Sequence, residues 1–253
     1  DQSWLHTSFA GTAGISTPAF DRLAETGVYF DYAFASAPSC TASRSAVLAG
    51  EDFWRLGDAA LLWGRFGTSL FSYQEALEQQ GYAVGYTGKG WGPGATDGRA
   101  PAGPGYNGRR LPDVAPGLSS IDYAANFSEF LDRQPTHQPF SFWLSPSEPH
   151  RPLLALDSDG QLPADLDVPY FLPADPVVQR DLQRYYREIE WQDAALGRAI
   201  EELEQRGLLE NTVVIVTSDN GMPFPRAKAT NYQWGVRVPL VMSWPGTWSS
   251  RRE

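Results

Sequence analysis

The sequence predicts an α/β fold, a sandwich with a mainly parallel central sheet flanked by helices. Three observations carry this. Helical and strand patterns alternate along the chain, a long amphipathic helix runs from Pro176 to Arg206, and it feeds the β-branched run Thr212-Val213-Val214-Ile215-Val216-Thr217. Alternation of this kind is the signature of helices packed over a parallel sheet.

In chain order, Pro18 to Glu25 reads as a short helix with Phe20 and Leu23 inward, followed by the extended Val28-Tyr29-Phe30. A short helix is expected from Thr41 to Ala49. Another runs from Ser72 to Gln80, with Gly81 as its stop. Tyr82 to Tyr86 and Phe140 to Leu144 read as buried strands, with a helix from Ile121 to Arg133 between them. In the long helix, Asp175 suits the N-cap, Pro176 the first turn and Gly207 the stop. Its apolar residues Val178, Leu182, Tyr185, Ile189, Leu196, Ile200 and Leu203 fall mostly three or four apart, the spacing of one helix face. Such a helix spans about 45 Å, enough to cross a large sheet. The 212–217 run has the composition of a strand buried on both faces. Val238 to Met242 is the last strand candidate.

Two segments break the pattern. Residues 87–120 carry nine glycines and five prolines, and 145–177 is rich in Pro, Asp and Leu. Long loops in a compact domain are usually functional walls. No linker divides the chain, so residues 1–253 read as one domain.

Composition excludes several classes. Hydrophobic residues make up 42% and aromatics 13%, which is globular material and not a disordered segment. A net charge of −10 argues against non-specific nucleic-acid binding, although a local cation cluster can still receive an anionic substrate. No apolar run reaches the roughly 18 residues that span a bilayer. The chain opens Asp1-Gln2-Ser3-Trp4, without initiator Met or signal-peptide pattern, and reads as a fragment or processed start.

The residues that carry chemistry stand at the ends of these elements. Cys40 is the only cysteine, so it has no disulfide partner in the chain, and a lone cysteine is ordinarily a small buried hydrophobe. Here it precedes a helix, where anionic atoms are favoured, and Arg44 lies one turn on. Ser218-Asp219-Asn220-Gly221 follows the 212–217 strand. Carboxylate and amide oxygens at a strand's carboxyl end suit a hard divalent cation, although Asp-Asn-Gly alone is an ordinary turn. Lys89 follows the 82–86 strand. A nucleotide-loop reading of Gly88-Lys89 fails, because Ala83 and Gly90 stand where that motif needs Gly and Ser or Thr. His150, in Pro149-His150-Arg151-Pro152, follows the 140–144 strand, and Lys228 sits in a late loop. Asp157-x-Asp159-Gly160 hints at a calcium loop but has its glycine at the fourth position and no closing Glu.

The stretch Ser39-Cys40-Thr41-Ala42-Ser43-Arg44, with Leu48-x-Gly50, resembles the signature of the type I sulfatases, a formylglycine-dependent family of the alkaline-phosphatase-like superfamily. Gly88-Lys89, Pro149-His150-Arg151, Ser218-Asp219-Asn220-Gly221 and Gly235-x-Arg237-x-Pro239 extend the resemblance over most of the chain. Val168 to Pro173 and Asn220 to Pro225 look most like the heparan N-sulfatase branch. The resemblance implies an alkaline-phosphatase-like sandwich. It implies that Cys40 is oxidised to formylglycine by a formylglycine-generating enzyme, that a formylglycine hydroxyl attacks sulfur, and that sulfate is then eliminated. It assigns Cys40, Arg44 and His150 to catalysis, and Lys89, Lys228 and His150 to the substrate. It assigns Asp1, Cys40, Asp219 and Asn220 to Ca²⁺, or to Mg²⁺. The substrate is then a sulfate ester or sulfamate, on a sulfated carbohydrate or other small molecule, and the setting periplasmic, secreted or lysosomal-type.

Two departures stand out. Asp1 matches only the second of the family's paired aspartates, so the first strand, like the smaller C-terminal domain, has no counterpart in this chain. Gly90-Trp91-Gly92 also offers no histidine where the family has one. Two rivals therefore stay open: a phosphoesterase or phosphonate hydrolase of the same superfamily, and a truncated, inactive homologue.

Overall fold

A computed structural model describes residues 1–135, 137–155 and 166–253. The Asp157–Gly160 segment lies outside the described residues. The elements in chain order are α1 (Pro18–Thr26), β1 (Val28–Tyr29), β2 (Ala33–Phe34), α2 (Cys40–Ala49), α3 (Tyr73–Gln79), β3 (Ala83–Gly88) and α4 (Tyr123–Asp132). They continue with β4 (Phe140–Ser145), α5 (Pro176–Gln205), β5 (Val214–Thr217), α6 (Gln233–Val236), β6 (Arg237–Val238), β7 (Leu240–Ser243) and β8 (Arg251–Arg252).

Local chemistry sets the helix ends. Ser72 and Glu75 form a reciprocal capping box at α3, Ser72 Oγ accepting the Glu75 N–H at 3.1 Å. Asp122 caps α4 and Asp175 caps α5, the latter by accepting the Val177 N–H at 2.8 Å. The helix α2 begins at Cys40 itself and stops at Gly50, whose φ of 65° suits a residue without Cβ.

The strands pair in two ways, and their connections explain which. β3 and β4 are joined through the crossover helix α4 and lie parallel, from Ala83↔Phe140 to Gly88↔Ser145. β5 returns to β7 through a connection that holds only the short α6 and β6, with no crossover helix, and β5, β7 and β1 pair antiparallel, with β8 parallel to β1 at the edge. A further short pair, β2 with β6, is antiparallel.

Two strand expectations need correction. The strand at β5 is not buried on both faces: Val214 and Val216 pack on the core, but Ile215 is 56% exposed. β4 is half-buried throughout its length. Composition alone cannot distinguish a strand covered on both faces from one covered on a single face; the packing around it decides.

α5 is the frame of the molecule. Its C-terminal half packs Ala199, Ile200 and Leu203 with Phe20, Leu23, Phe127, Phe130 and Val241. Its N-terminal half packs Leu182, Tyr185, Tyr186 and Ile189 with Met222, Phe224 and Trp234. A third cluster beneath α2 gathers Leu48, Leu56, Phe66 and Ala102.

Two carboxylates also lie on the buried stripe of α5, Glu188 and Asp193. Asp193 accepts the Ala19 and Phe20 N–H groups, both at 2.9 Å, and so caps α1 from another helix. Burial pushes its carboxyl up to about 6, outweighing those two hydrogen bonds. The folded state therefore holds this proton more tightly than the unfolded chain. The associated stability is present below about pH 4 and is lost as pH rises through about 6. Against Asp193→Asn, wild type should lose up to ~3 kcal/mol of relative stability across that window, as read by urea unfolding at a series of pH values. A pH-independent difference between the two proteins would refute this account.

Candidate active site

The first residue of the chain, the first turns of α2 and the loops at the carboxyl ends of β3, β4 and β5 bring together all eight residues singled out in the sequence. Cys40, 2% exposed, is the first residue of α2. Lys228 Nζ lies 3.3 Å from its sulfur, and the thiol faces Asp1 Oδ1 at 3.7 Å. The His150 ring and the Lys89 ammonium also face this thiol. Burial alone would push the thiol up. The His150 ring and the Lys89 and Lys228 charges more than offset burial and Asp219, bringing it down to about 6.

Arg44 occupies the next turn of α2 and ties three elements together. Its Nε donates to Asp219 Oδ2 at 2.8 Å, and one terminal nitrogen donates to Lys89 O at 2.9 Å and Ser145 Oγ at 2.7 Å. Burial would raise the Asp219 carboxyl, but Arg44 and Lys89 hold it well below the ordinary carboxylate range. Asp1 Oδ2 pairs with Lys228 at 2.6 Å, and Asp1 Oδ1 accepts from Asn220 Nδ2 at 3.0 Å.

Two glycines make this convergence possible. Gly88 has φ +78°, and a Cβ there would lie 2.0 Å from Ser145 O, so only glycine lets β3 turn Lys89 toward the site. A Cβ on Gly221 would lie 1.8 Å from Trp234 O, where the Asp219-Asn220 loop packs on the turn before β6.

The donor set fits a hard divalent cation. Asn220 is fully buried, and its Oδ1 is a side-chain oxygen without a hydrogen-bond partner. An orphaned buried carbonyl beside two carboxylates is the arrangement a metal satisfies. Asp1, Cys40 and His150 also present ligand atoms all within 4.8 Å of one another.

His150 is exposed, and its Nδ1 lies 2.6 Å from Arg151 O. A carbonyl only accepts, so Nδ1 carries a proton and Nε2 is left for chemistry. Of the other two histidines, His6 is buried among aromatic rings, where desolvation pushes it down to about 3, and His137 lies in an exposed turn. Trp91, near where the family has a histidine, turns its indole N–H onto Ser45 Oγ at 2.8 Å.

The cleft over Cys40 measures about 550 Å³. Lys89, Lys228 and Arg151 line it with positive charge beside His150 and Glu148, and Leu62, Trp63 and Pro93 give it an apolar side. Sequence reasoning missed Ser145, Glu148, Glu188 and the Leu62-Trp63 wall. For Glu188 a signal existed: it stands three residues after Tyr185, on the apolar stripe of α5. Its two oxygens accept the His150 N–H at 2.9 Å and the Leu154 N–H at 2.7 Å. Burial pushes this carboxyl up to about 7 despite those bonds.

The structure has the alkaline-phosphatase-like fold, with a helix-capping cysteine in a cluster of cations and carboxylates. The sulfatase family profile matches residues 1–253, and the chain belongs to that family. It is 29% identical to human N-sulphoglucosamine sulphohydrolase over 273 aligned residues, covering 97% of this chain and 54% of that protein. The chain thus spans about half the length of the curated relatives it matches. Two solved structures share the fold. One, solved with its substrate D-glucosamine-2-N,6-O-disulfate, has a TM-score of 0.70 at 18% identity, covering 100% of this chain and 71% of its own. The other is a phosphonate monoester hydrolase from Silicibacter pomeroyi, with a TM-score of 0.73 at 16% identity, covering 94% and 65%. The family generally uses a metal ion and formylglycine. No helix among the described residues is long and apolar enough to cross a membrane.

Proposed function

We propose that residues 1–253 carry the catalytic chemistry of a sulfatase that hydrolyses a sulfate ester or sulfamate on a sulfated carbohydrate. The observation that carries this reading is the convergence on Cys40 of Lys89, Lys228, His150 and Asp1, in a family whose cysteine at this motif is oxidised. In the structure the Cys40 sulfur stands where formylglycine oxygens would be. When converted, by a formylglycine-generating enzyme, residue 40 supplies an aldehyde hydrate whose hydroxyl is the nucleophile. Asp1, Asp219, Asn220 and residue 40 would hold Ca²⁺ or Mg²⁺, which lowers the cost of ionising that hydroxyl.

The chain's own residues supply the rest. Lys89 and Lys228 flank the Cys40 sulfur and neutralise the sulfuryl oxygens, whose charge grows as the bond to the leaving group breaks. Arg44, fixed by Asp219 and Ser145, adds positive charge beneath the nucleophile. His150 presents Nε2 on the open side, where an imidazolium protonates the departing oxygen or nitrogen. The cleft's apolar side, Leu62 and Trp63, receives the remainder of the substrate. The resemblance to the heparan N-sulfatase branch makes an N-sulfated amino sugar the first substrate to try, in a periplasmic, secreted or lysosomal-type setting.

The test uses the full-length protein coexpressed with a formylglycine-generating enzyme. N-sulfoglucosamine, a sugar O-sulfate and a phosphate monoester are supplied separately, and released sulfate or phosphate is measured by ion chromatography. Sulfate release that stops with chelator and returns with Ca²⁺ or Mg²⁺ is expected. Preferential cleavage of the phosphate monoester would move the assignment to the phosphoesterase branch of the superfamily. No release from any substrate would favour the inactive homologue.

A further inference from the structure

His150 presents an unusual mechanical problem. Its ring must be held over Cys40, yet it sits on the segment 146–155, which has no regular secondary structure and follows the end of β4. An acid that wanders by about 1 Å can lose on the order of 10²-fold in rate. Something outside the loop has to fix it.

The anchor is Glu188. It lies in α5 at 0% exposure, on the helix that both major core clusters grip from opposite ends. One carboxylate oxygen takes the His150 N–H at 2.9 Å and the other takes the Leu154 N–H at 2.7 Å. Two acceptors on one rigid side chain thus bracket the segment from His150 to Leu154. The segment is braced from its other end as well. Glu148 accepts the Ser119 N–H at 2.6 Å and the Tyr123 hydroxyl at 2.8 Å, and Tyr123 Oη accepts the Ser147 N–H at 2.9 Å. Arg151 donates to Pro223 O at 2.7 Å, pairs with Asp181, and lies 4.8 Å over the Phe224 ring. Of these contacts only Glu188 grips the main chain of His150 itself.

A buried carboxylate on an apolar helix stripe is expensive, and an apolar residue would pack there at lower cost. What a carboxylate uniquely offers is two oxygens with the spread to accept two N–H groups of one loop. Glutamine has a single acceptor and would turn an amide N–H toward one of those donors. Alanine has none.

We propose that Glu188 is a positioning residue for His150. By holding the main-chain N–H groups of His150 and Leu154, it fixes the imidazole where Nε2 can pass its proton to the leaving oxygen or nitrogen. The proposal rests on the reading of His150 as the leaving-group acid, and the experiment separates the two.

Steady-state kinetics are measured on the full-length enzyme as wild type, Glu188→Gln, Glu188→Ala and His150→Ala. Each is given 4-nitrophenyl sulfate, whose leaving group needs no proton, and a sugar sulfate or sulfamate, whose leaving group does. His150→Ala and Glu188→Ala should both lose on the order of 10²-fold in kcat on the sugar substrate and no more than about threefold on the nitrophenyl ester. Glu188→Gln, which keeps the shape, should fall between, at roughly tenfold, and serves alone if the alanine variant does not fold. Amide hydrogen exchange at His150 and Leu154 should quicken in both Glu188 variants. A purely structural role would lower both substrates' rates by the same factor. That result, unchanged rates on both substrates, or undisturbed amide protection at both positions, with His150→Ala still selective for the sugar substrate, would overturn the positioning role. Equal losses on both substrates in His150→Ala would overturn the acid itself, and Glu188's role with it.

Discussion

Cys40→Ala should abolish sulfate release from the full-length protein, lowering kcat by on the order of 10⁴- to 10⁶-fold, as loss of a covalent nucleophile does. The surroundings of the sulfur are the reason. A small buried side chain at the start of a helix would ordinarily be packing alone. Here Lys228 Nζ stands 3.3 Å away and Asp1 Oδ1 3.7 Å away, and His150 and Lys89 face the same atom. No packing role needs four polar neighbours on one thiol. Truncation to alanine leaves little space, so stability should change by only about 1 kcal/mol. Activity and stability are thereby separable by measuring sulfate release and thermal unfolding on the same sample. Conversion of the thiol to an aldehyde lowers the mass of the peptide across residue 40 by about 18 Da, whereas oxidation along the ordinary cysteine ladder raises it. A fully active enzyme whose Cys40 peptide keeps its thiol mass would end the formylglycine reading.

Arg44→Ala should be the most destabilising substitution at the site, by about 3–5 kcal/mol, and inactivating as well. The guanidinium is part-buried and holds Asp219 at 2.8 Å, the Lys89 carbonyl at 2.9 Å and Ser145 Oγ at 2.7 Å. Removing it strands the buried Asp219 carboxylate with less positive charge and frees the ends of β3 and β4 from α2. Arg44→Lys should recover part of the stability only, because one ammonium cannot reproduce the planar fork that reaches three acceptors. The expected fall in melting temperature for the alanine variant is on the order of 10 °C. A melting temperature within a degree or two of wild type would show that Arg44 is no structural tie.

The places of the residues proposed to carry the chemistry were legible because local patterns dictate them. Cys40 and Arg44 fall one turn apart at a helix start, and Asp219 and Asn220 follow a β-branched run, so short-range patterns alone placed them at the ends of elements. The boundaries of α5 were equally readable, since Asp175 and Pro176 specify a start whatever packs nearby. Burial of β5 was not readable. Val, Ile and Thr in sequence are compatible with one covered face or two, and Ile215 is open to solvent because nothing among the described residues packs over it. Strand direction behaved similarly: the crossover through α4 makes β3 and β4 parallel, but a loop connection returns β7 antiparallel to β5.

What the sequence determined by itself was the fold class, the helix caps and the placement of the candidate residues at element ends, because these follow from side-chain chemistry and spacing along one element. Only the tertiary structure decided which atoms meet. Asp1 and Lys228 are separated by nearly the whole chain yet pair at 2.6 Å beside Cys40, and Glu188 reaches the main chain of His150 from the middle of α5. Such contacts depend on how α5 and the loops after β3, β4 and β5 pack together. A carboxylate on a buried helix stripe announces only that some partner must exist; the partner is chosen by the backbone N–H groups that packing brings within reach.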